Sequence, residues 1–291
     1  MAKTVRIIPR LDIKGPNLVK GIHLEGLRVM GKPEQFARYY YETGADELLY
    51  MDVVASLYNR NSLHDIIMRT AREIFIPLTV GGGLRTIDDI CEVLRAGADK
   101  VVLNTAAINN PQIVKEASRE FGSSTIVIAI EAIRQPDGRY LAYTDNGRQH
   151  TGVDVFEWAK KVAELGAGEI IITSVDHEGT GKGYDHHLTG TVAASVPIPV
   201  IAHGGAGNKQ HVKEVITEAG ADAVSVASLF HYDFIAGHRH QLELNAEGEG
   251  NIEFLKSKRG YSKIEPIGLK EMKLYLHSCG VDCRQELSEI Q

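Results

Sequence analysis

Gly81 and Gly204 stand 123 residues apart, and so do Gly97 and Gly220, each of which opens a Gly-Ala-Asp triplet. The first glycine cluster, Thr79-Val80-Gly81-Gly82-Gly83, follows the short apolar run Ile76-Pro77-Leu78. The second, Ala202-His203-Gly204-Gly205-Ala206-Gly207, follows Ile198-Pro199-Val200-Ile201. Both lead into an amphipathic helical pattern. Gly44-Ala45 returns as Gly166-Ala167 at an offset of 122, and Asp12 and Glu131, each at the end of an apolar run, lie 119 apart. The chain is therefore two half-units of the same plan. A strand that ends in glycines lets a ligand approach the backbone, and N–H groups exposed there can hold a phosphate. Each half carries one such loop.

Strand-like and helical runs alternate between these landmarks. Strands are expected at Val5–Asp12, Glu47–Val53, Ile76–Val80, Lys100–Leu103, Thr125–Glu131, Glu169–Thr173, Pro199–Ala202 and Ala223–Ala227. Helical patterns separate them, and Leu269–Cys279 reads as the last helix. Eight strand–helix units imply an α/β barrel or a doubly wound sheet. A two-fold repeat of four units closes naturally, so the expected fold class is α/β, a (βα)8 TIM barrel built from two half-barrel repeats. Residues 1–291 are read as a single barrel. Three stretches exceed the minimal barrel: a long Gly-rich loop over Gly15–Gly31, a small hairpin over Gln135–Gln149, and a polar insertion after the eighth strand, at about 233–263. All three follow strands, so they lie on the face where barrels carry chemistry.

With 43% hydrophobic and 24% charged residues the composition is that of a globular chain, and the net charge of −6 argues against a general nucleic-acid binder. No apolar run approaches the roughly 18 residues of a membrane span. Cys91, Cys279 and Cys283 form no even framework. A cytoplasmic setting is expected. His238-Arg239-His240 with His277 matches no metal-ligand spacing, and neither metal nor cofactor is expected.

Strand C-terminal ends supply the candidate site. They hold Asp12, Asp52, Asn104-Thr105, Glu131, Thr173-Ser174, His203 and Ser228. Asp12 and Glu131 end the first and fifth strands, which face each other in a ring of eight. Opposed carboxylates suit general acid/base work, one protonated and one ionised. Gly82 and Gly83 with Asn104 and Thr105, and Gly204 and Gly205 with Ser228, form two phosphate-type sites on opposite sides. They imply a ligand with a phosphate at each end. By period two, Arg6, Lys100 and Glu169 point inward at the barrel's other end, and Glu47 begins the second strand nearby. These four charges form either an ion-pair plug or a gate for something small entering from below.

Arg6-Ile7-Ile8-Pro9-Arg10-Leu11-Asp12, Leu18-Val19-Lys20-Gly21, Thr79-Val80-Gly81-Gly82-Gly83, Asn104-Thr105-Ala106-Ala107 and Gly204-Gly205-Ala206-Gly207 together resemble the cyclase subunit of imidazole glycerol phosphate synthase. The resemblance runs from about Val5 to Tyr232 and resumes over the last helix. It implies a (βα)8 barrel paired with a glutamine amidotransferase subunit at the barrel floor. Ammonia made there would pass up the barrel to a bis-phosphate aminoimidazole carboxamide ribonucleotide. By position, Asp12 and Glu131 would be catalytic, Lys20 and the glycine loops would hold phosphates, and Arg6, Glu47, Lys100 and Glu169 would be the ammonia gate. The sequence departs from the family at Glu131, where an aspartate is usual, and at Arg10, His203 and Glu178. These departures leave an alternative open: an ammonia-channelling subunit that serves a sugar amidotransferase in acetamidino-sugar biosynthesis.

Overall fold

A computed structural model describes residues 4–55, 63–245 and 263–285, with 239–245 described by backbone alone. Strands β1 (Arg6–Lys14), β4 (Leu48–Asp52), β5 (Leu78–Gly81), β6 (Lys100–Leu103), β7 (Ile126–Arg134), β10 (Glu169–Ser174), β11 (Val200–His203) and β12 (Ala223–Val226) pair in parallel in that order. β12 pairs with β1, and β7 with β10, so the sheet closes into a barrel of eight. Helices α1 (Pro33–Glu42), α2 (His64–Ala71), α3 (Ile87–Arg95), α4 (Thr105–Asn109), α5 (Gln112–Phe121), α6 (Val155–Leu165), α7 (His186–Ser195), α8 (Lys209–Thr217), α9 (Ser228–Asn245) and α10 (Leu269–Ser278) follow the strands. No helix among the described residues is long and apolar enough to cross a membrane.

The period of two divides each strand between two cores. Ile8, Leu49, Val102, Val127, Ile171, Ile201 and Ala223 fill the barrel interior. The alternate residues, among them Ile7, Leu48, Val101, Ile128, Ile170 and Val224, pack under the helices.

The Gly-Ala-Asp repeat has a structural role. Asp46 Oδ2 accepts the Ile7 N–H, Asp99 Oδ2 the Leu78 N–H, and Asp222 Oδ2 the Val200 N–H, each at 2.8 Å. Each aspartate thus pins its own strand to the start of a neighbouring one. The residue after it enters the barrel, which aims Glu47 and Lys100 inward at the floor.

Three expectations are corrected. Gly15–Gly31 is not a loop but an antiparallel hairpin, β2 (Asn17–Ile22) and β3 (Glu25–Gly31). β1 overruns the barrel by two residues beyond Asp12, and its free edge pairs with β2 at Asp12–Val19. In the same way β7 overruns Glu131 and carries a meander, β8 (Tyr140–Thr144) and β9 (Gln149–Asp154), in place of a simple hairpin. The overruns sit at equivalent places in the two halves, so the repeat extends beyond the barrel. After the eighth strand the chain continues as α9, so residues 233–245 of the expected insertion are helical. Phe230 and Phe234 are buried, and Phe36 of α1 lies 4.4 Å from Phe234, ring to ring. That burial fixes a helix that lacks a strong helical pattern of its own. Residues 246–262, which include Glu247-Gly248-Glu249-Gly250, lie outside the described residues.

Candidate active site

β1 and β7 are four places apart in the ring, so Asp12 and Glu131 approach the mouth from opposite walls. Between them lies Arg10, one turn of the pleat below Asp12. Its Nε donates to Asp12 Oδ1 at 2.8 Å, and both side chains are buried. A guanidinium inside a barrel is tolerable only with anions around it. Asp12, Glu178 and Glu131 all act on its charge.

Glu131 is buried, and its Oε2 accepts the Gly147 N–H at 2.7 Å. Burial pushes its carboxyl from the ordinary value near 4.5 up to about 7, with Asp145 and Asp12 adding to the rise. The Gly147 hydrogen bond and Arg10 pull the other way. Near neutrality Glu131 can therefore hold a proton to give, while Asp12 is held by Arg10. The linkage has a definite sign. Below pH 4.5 Glu131 is neutral in both folded and unfolded chains. As pH rises toward 7 the unfolded chain releases this proton first, so up to about 3 kcal/mol of stability is lost over that window. Glu131→Gln should therefore melt roughly 5 °C above wild type at pH 8 and match it at pH 4, by calorimetry. Its turnover should nonetheless fall by about 100-fold.

The Gly147 contact comes from the turn that joins β8 to β9. Asp145 and Asn146 both have positive φ, 53° and 61°, and Arg148 N–H closes on Thr144 O at 3.1 Å. Asn146 Nδ2 donates to Leu24 O in the β2–β3 turn at 2.9 Å. The meander and the hairpin thus meet across the mouth. The Asn146-Gly147 pair signals a turn in the sequence, but nothing local there shows that it reaches Glu131.

A cavity of about 440 Å³ opens beside Glu131. Gly82, Gly83, Asn104, Thr105, Glu131 and Arg10 line it, with Asp52, Arg85 and the Asp145–Asn146 turn. Gly82 has φ +104°, and a Cβ there would collide with the Asp52 carbonyl, so only glycine fits. Asn104 Oδ1 is buried with no partner among the described residues, an acceptor available to a ligand's donor. One expected phosphate site and one expected catalytic carboxylate are therefore brought together.

The other half is arranged differently. Lys20 Nζ pairs with Glu178 Oε1 at 2.8 Å, and both are buried. Lys20 Nζ also donates to Gly21 O, and Glu178 Oε2 accepts the Leu24 N–H at 2.9 Å. Lys20 is thus tied to its own hairpin and does not line the cavity. Gly204, Gly205 and Ser228 lie outside that cavity too. A Cβ on Gly205 would strike the Gly183 carbonyl, so close packing of two loops already requires this glycine. Thr173 is buried on β10, in register with Glu131 on one side and His203 on the other. His203 Nδ1 lies 3.1 Å from Ser225 O, and its Nε2 is buried without a partner among the described residues. Burial, then the charge of Arg10, holds His203 well below the ordinary histidine value, so it is neutral.

At the floor, the four expected charges form a closed alternating ring. Arg6 reaches Glu47 at 2.7 Å and Glu169 at 3.2 Å. Lys100 reaches the same two at 3.0 and 3.1 Å. Thr79 Oγ1 adds a 2.5 Å hydrogen bond to Glu47 Oε1. The ring lies below the apolar layer and across the barrel axis.

Residues 6–236 match the family model described as histidine biosynthesis protein. A Legionella pneumophila protein named imidazole glycerol phosphate synthase subunit HisF is 58% identical to this chain over 203 residues, 70% of the chain and 96% of the relative. With a closed (βα)8 barrel, paired carboxylates at its mouth and this match over most of its length, the chain belongs to the histidine biosynthesis protein family.

Proposed function

We propose that this chain is the ammonia-dependent cyclase of an imidazole glycerol phosphate synthase. It would convert the bis-phosphate aminoimidazole carboxamide ribonucleotide to imidazole glycerol phosphate and an aminoimidazole carboxamide ribotide. The observation that carries this reading is the placement of Asp12 and Glu131 on opposed strands, with Glu131 and Arg10, the partner of Asp12, lining a cavity together with Gly82, Gly83, Asn104 and Thr105. The chemistry needs a group that takes protons from the attacking nitrogen and a group that gives one to the departing nitrogen. Asp12, paired with Arg10, suits the first; Glu131, with its raised value, suits the second.

The backbone N–H groups at Gly82 and Gly83, with Asn104 and Thr105, would hold one phosphate. Gly204, Gly205, Ser228 and Thr173 would face the other end of the ligand. Lys20 could join them only by releasing Glu178, which gives the second phosphate a competitor inside the protein. The floor ring of Arg6, Glu47, Lys100 and Glu169 would be where ammonia enters from a glutamine amidotransferase partner. The relative named for the synthase subunit favours this reading over ammonia supply to a sugar amidotransferase.

The test is turnover of the bis-phosphate ribonucleotide by the purified chain with excess ammonium salt at alkaline pH. Formation of both products supports the proposal. A folded chain that binds a glutaminase yet makes neither product would refute the cyclase.

A further inference from the structure

Phe75 is 80% exposed, the most exposed large apolar side chain among the described residues. It lies between α2 and β5, on the floor side of the barrel. Its successor but one, Pro77, offers its carbonyl to the Leu48 N–H at 2.9 Å, next to Glu47 of the charged ring. Four residues on, Thr79 donates to Glu47 itself. Tyr41, at the floor end of α1, lies 6.0 Å away, ring to ring. The exposed Arg72 and Glu73 flank the pair. An aromatic anchor within a charged border is the usual make-up of a binding hot spot.

We infer that Phe75 is the apolar anchor by which the floor docks the glutamine-hydrolysing partner, which must offer it an apolar pocket. This rests on the proposed function, since only an ammonia supplier needs to cover the ring. The geometry limits the choice of occupant. Four extended residues span at most about 13 Å, so Phe75 lies no farther than that from Thr79, which touches the ring. A partner of ordinary size buries about 800 Å² on its host, a disc of about 16 Å radius. The footprint of such a partner centred over the ring therefore extends into the neighbourhood of Phe75. An aromatic ring left in water at that place would gain much of its burial only when the partner arrives.

The test measures affinity for the glutaminase encoded in the same genome, by calorimetry, for wild type, Phe75→Ser and Phe75→Leu. Ammonium-driven turnover is followed in parallel. Phe75→Ser should raise Kd by about 30-fold or more, and Phe75→Leu should recover most of that loss. Ammonium-driven turnover should be unchanged in both, because Phe75 lies far from the mouth. A Kd for Phe75→Ser within threefold of wild type overturns the anchor. So does a Phe75-dependent self-association, seen by sedimentation, with glutaminase binding untouched. The affinity result stands whether or not the wild type turns over, so failure of the cyclase reading and failure of the anchor are separate outcomes.

Discussion

Asp12→Asn should lower ammonium-dependent turnover by about 100- to 10,000-fold while leaving the barrel folded. The substitution preserves shape and keeps an oxygen for Arg10 Nε, 2.8 Å away in the wild type. What it removes is the charge that can accept a proton. It also leaves Arg10 without its nearest anion in a buried place, which should cost stability of about 3 kcal/mol. The two effects can be separated. Arg10→Met in the Asp12→Asn background removes the stranded cation, so it should restore the thermal midpoint and leave turnover low. If the double variant recovers turnover, Asp12 acts only as a counter-ion to Arg10, and the catalytic assignment fails. A steady-state assay beside a melting curve for wild type, Asp12→Asn, Arg10→Met and the double variant decides the matter.

Glu47→Ala is expected to be the most damaging change at the floor. Glu47 is 2% exposed, and its carboxylate meets Arg6, Lys100 and Thr79 at once. Removing it leaves two cations facing a single remaining anion, Glu169. Breaking one partner of a buried network costs about 3–5 kcal/mol, which corresponds to a fall in Tm on the order of 10 °C. Glu169→Ala should cost less, because Glu169 is itself more exposed than Glu47 and holds the same two cations without the added Thr79 hydrogen bond. If the ring is also the ammonia entrance, Glu47→Ala should change the ratio of glutamine-driven to ammonium-driven turnover. A pure ion-pair plug would lower both in step with the folded fraction.

Much of this arrangement is legible in the sequence because it is periodic. The offset of about 120 residues between glycine loops implies two halves, and alternation with period two places Arg6, Lys100 and Glu169 on one inward face. Opposition of Asp12 and Glu131 follows from counting strands in a closed ring. These are consequences of backbone geometry, which acts the same way wherever the pattern occurs.

Tertiary structure decided what depends on partners far away in the chain. The Gly-Ala-Asp triplets mark the repeat, but their aspartates act on N–H groups of other strands, Asp46 on that of Ile7 at a separation of 39 in the sequence. The Gly15–Gly31 stretch looks like a loop because its glycines mask any strand preference; the free edge of β1 makes it a hairpin. Lys20 reads as a phosphate ligand in the sequence, and only the fold shows that Glu178, 158 residues on, pairs with its ammonium. Glu131 is an ordinary glutamate in the sequence. Its raised value comes from burial under a turn that Asn146 fastens to Leu24, 122 residues away. Local patterns set where each strand and each inward charge belongs. The surroundings that give those charges their protons and partners exist only once the barrel has closed.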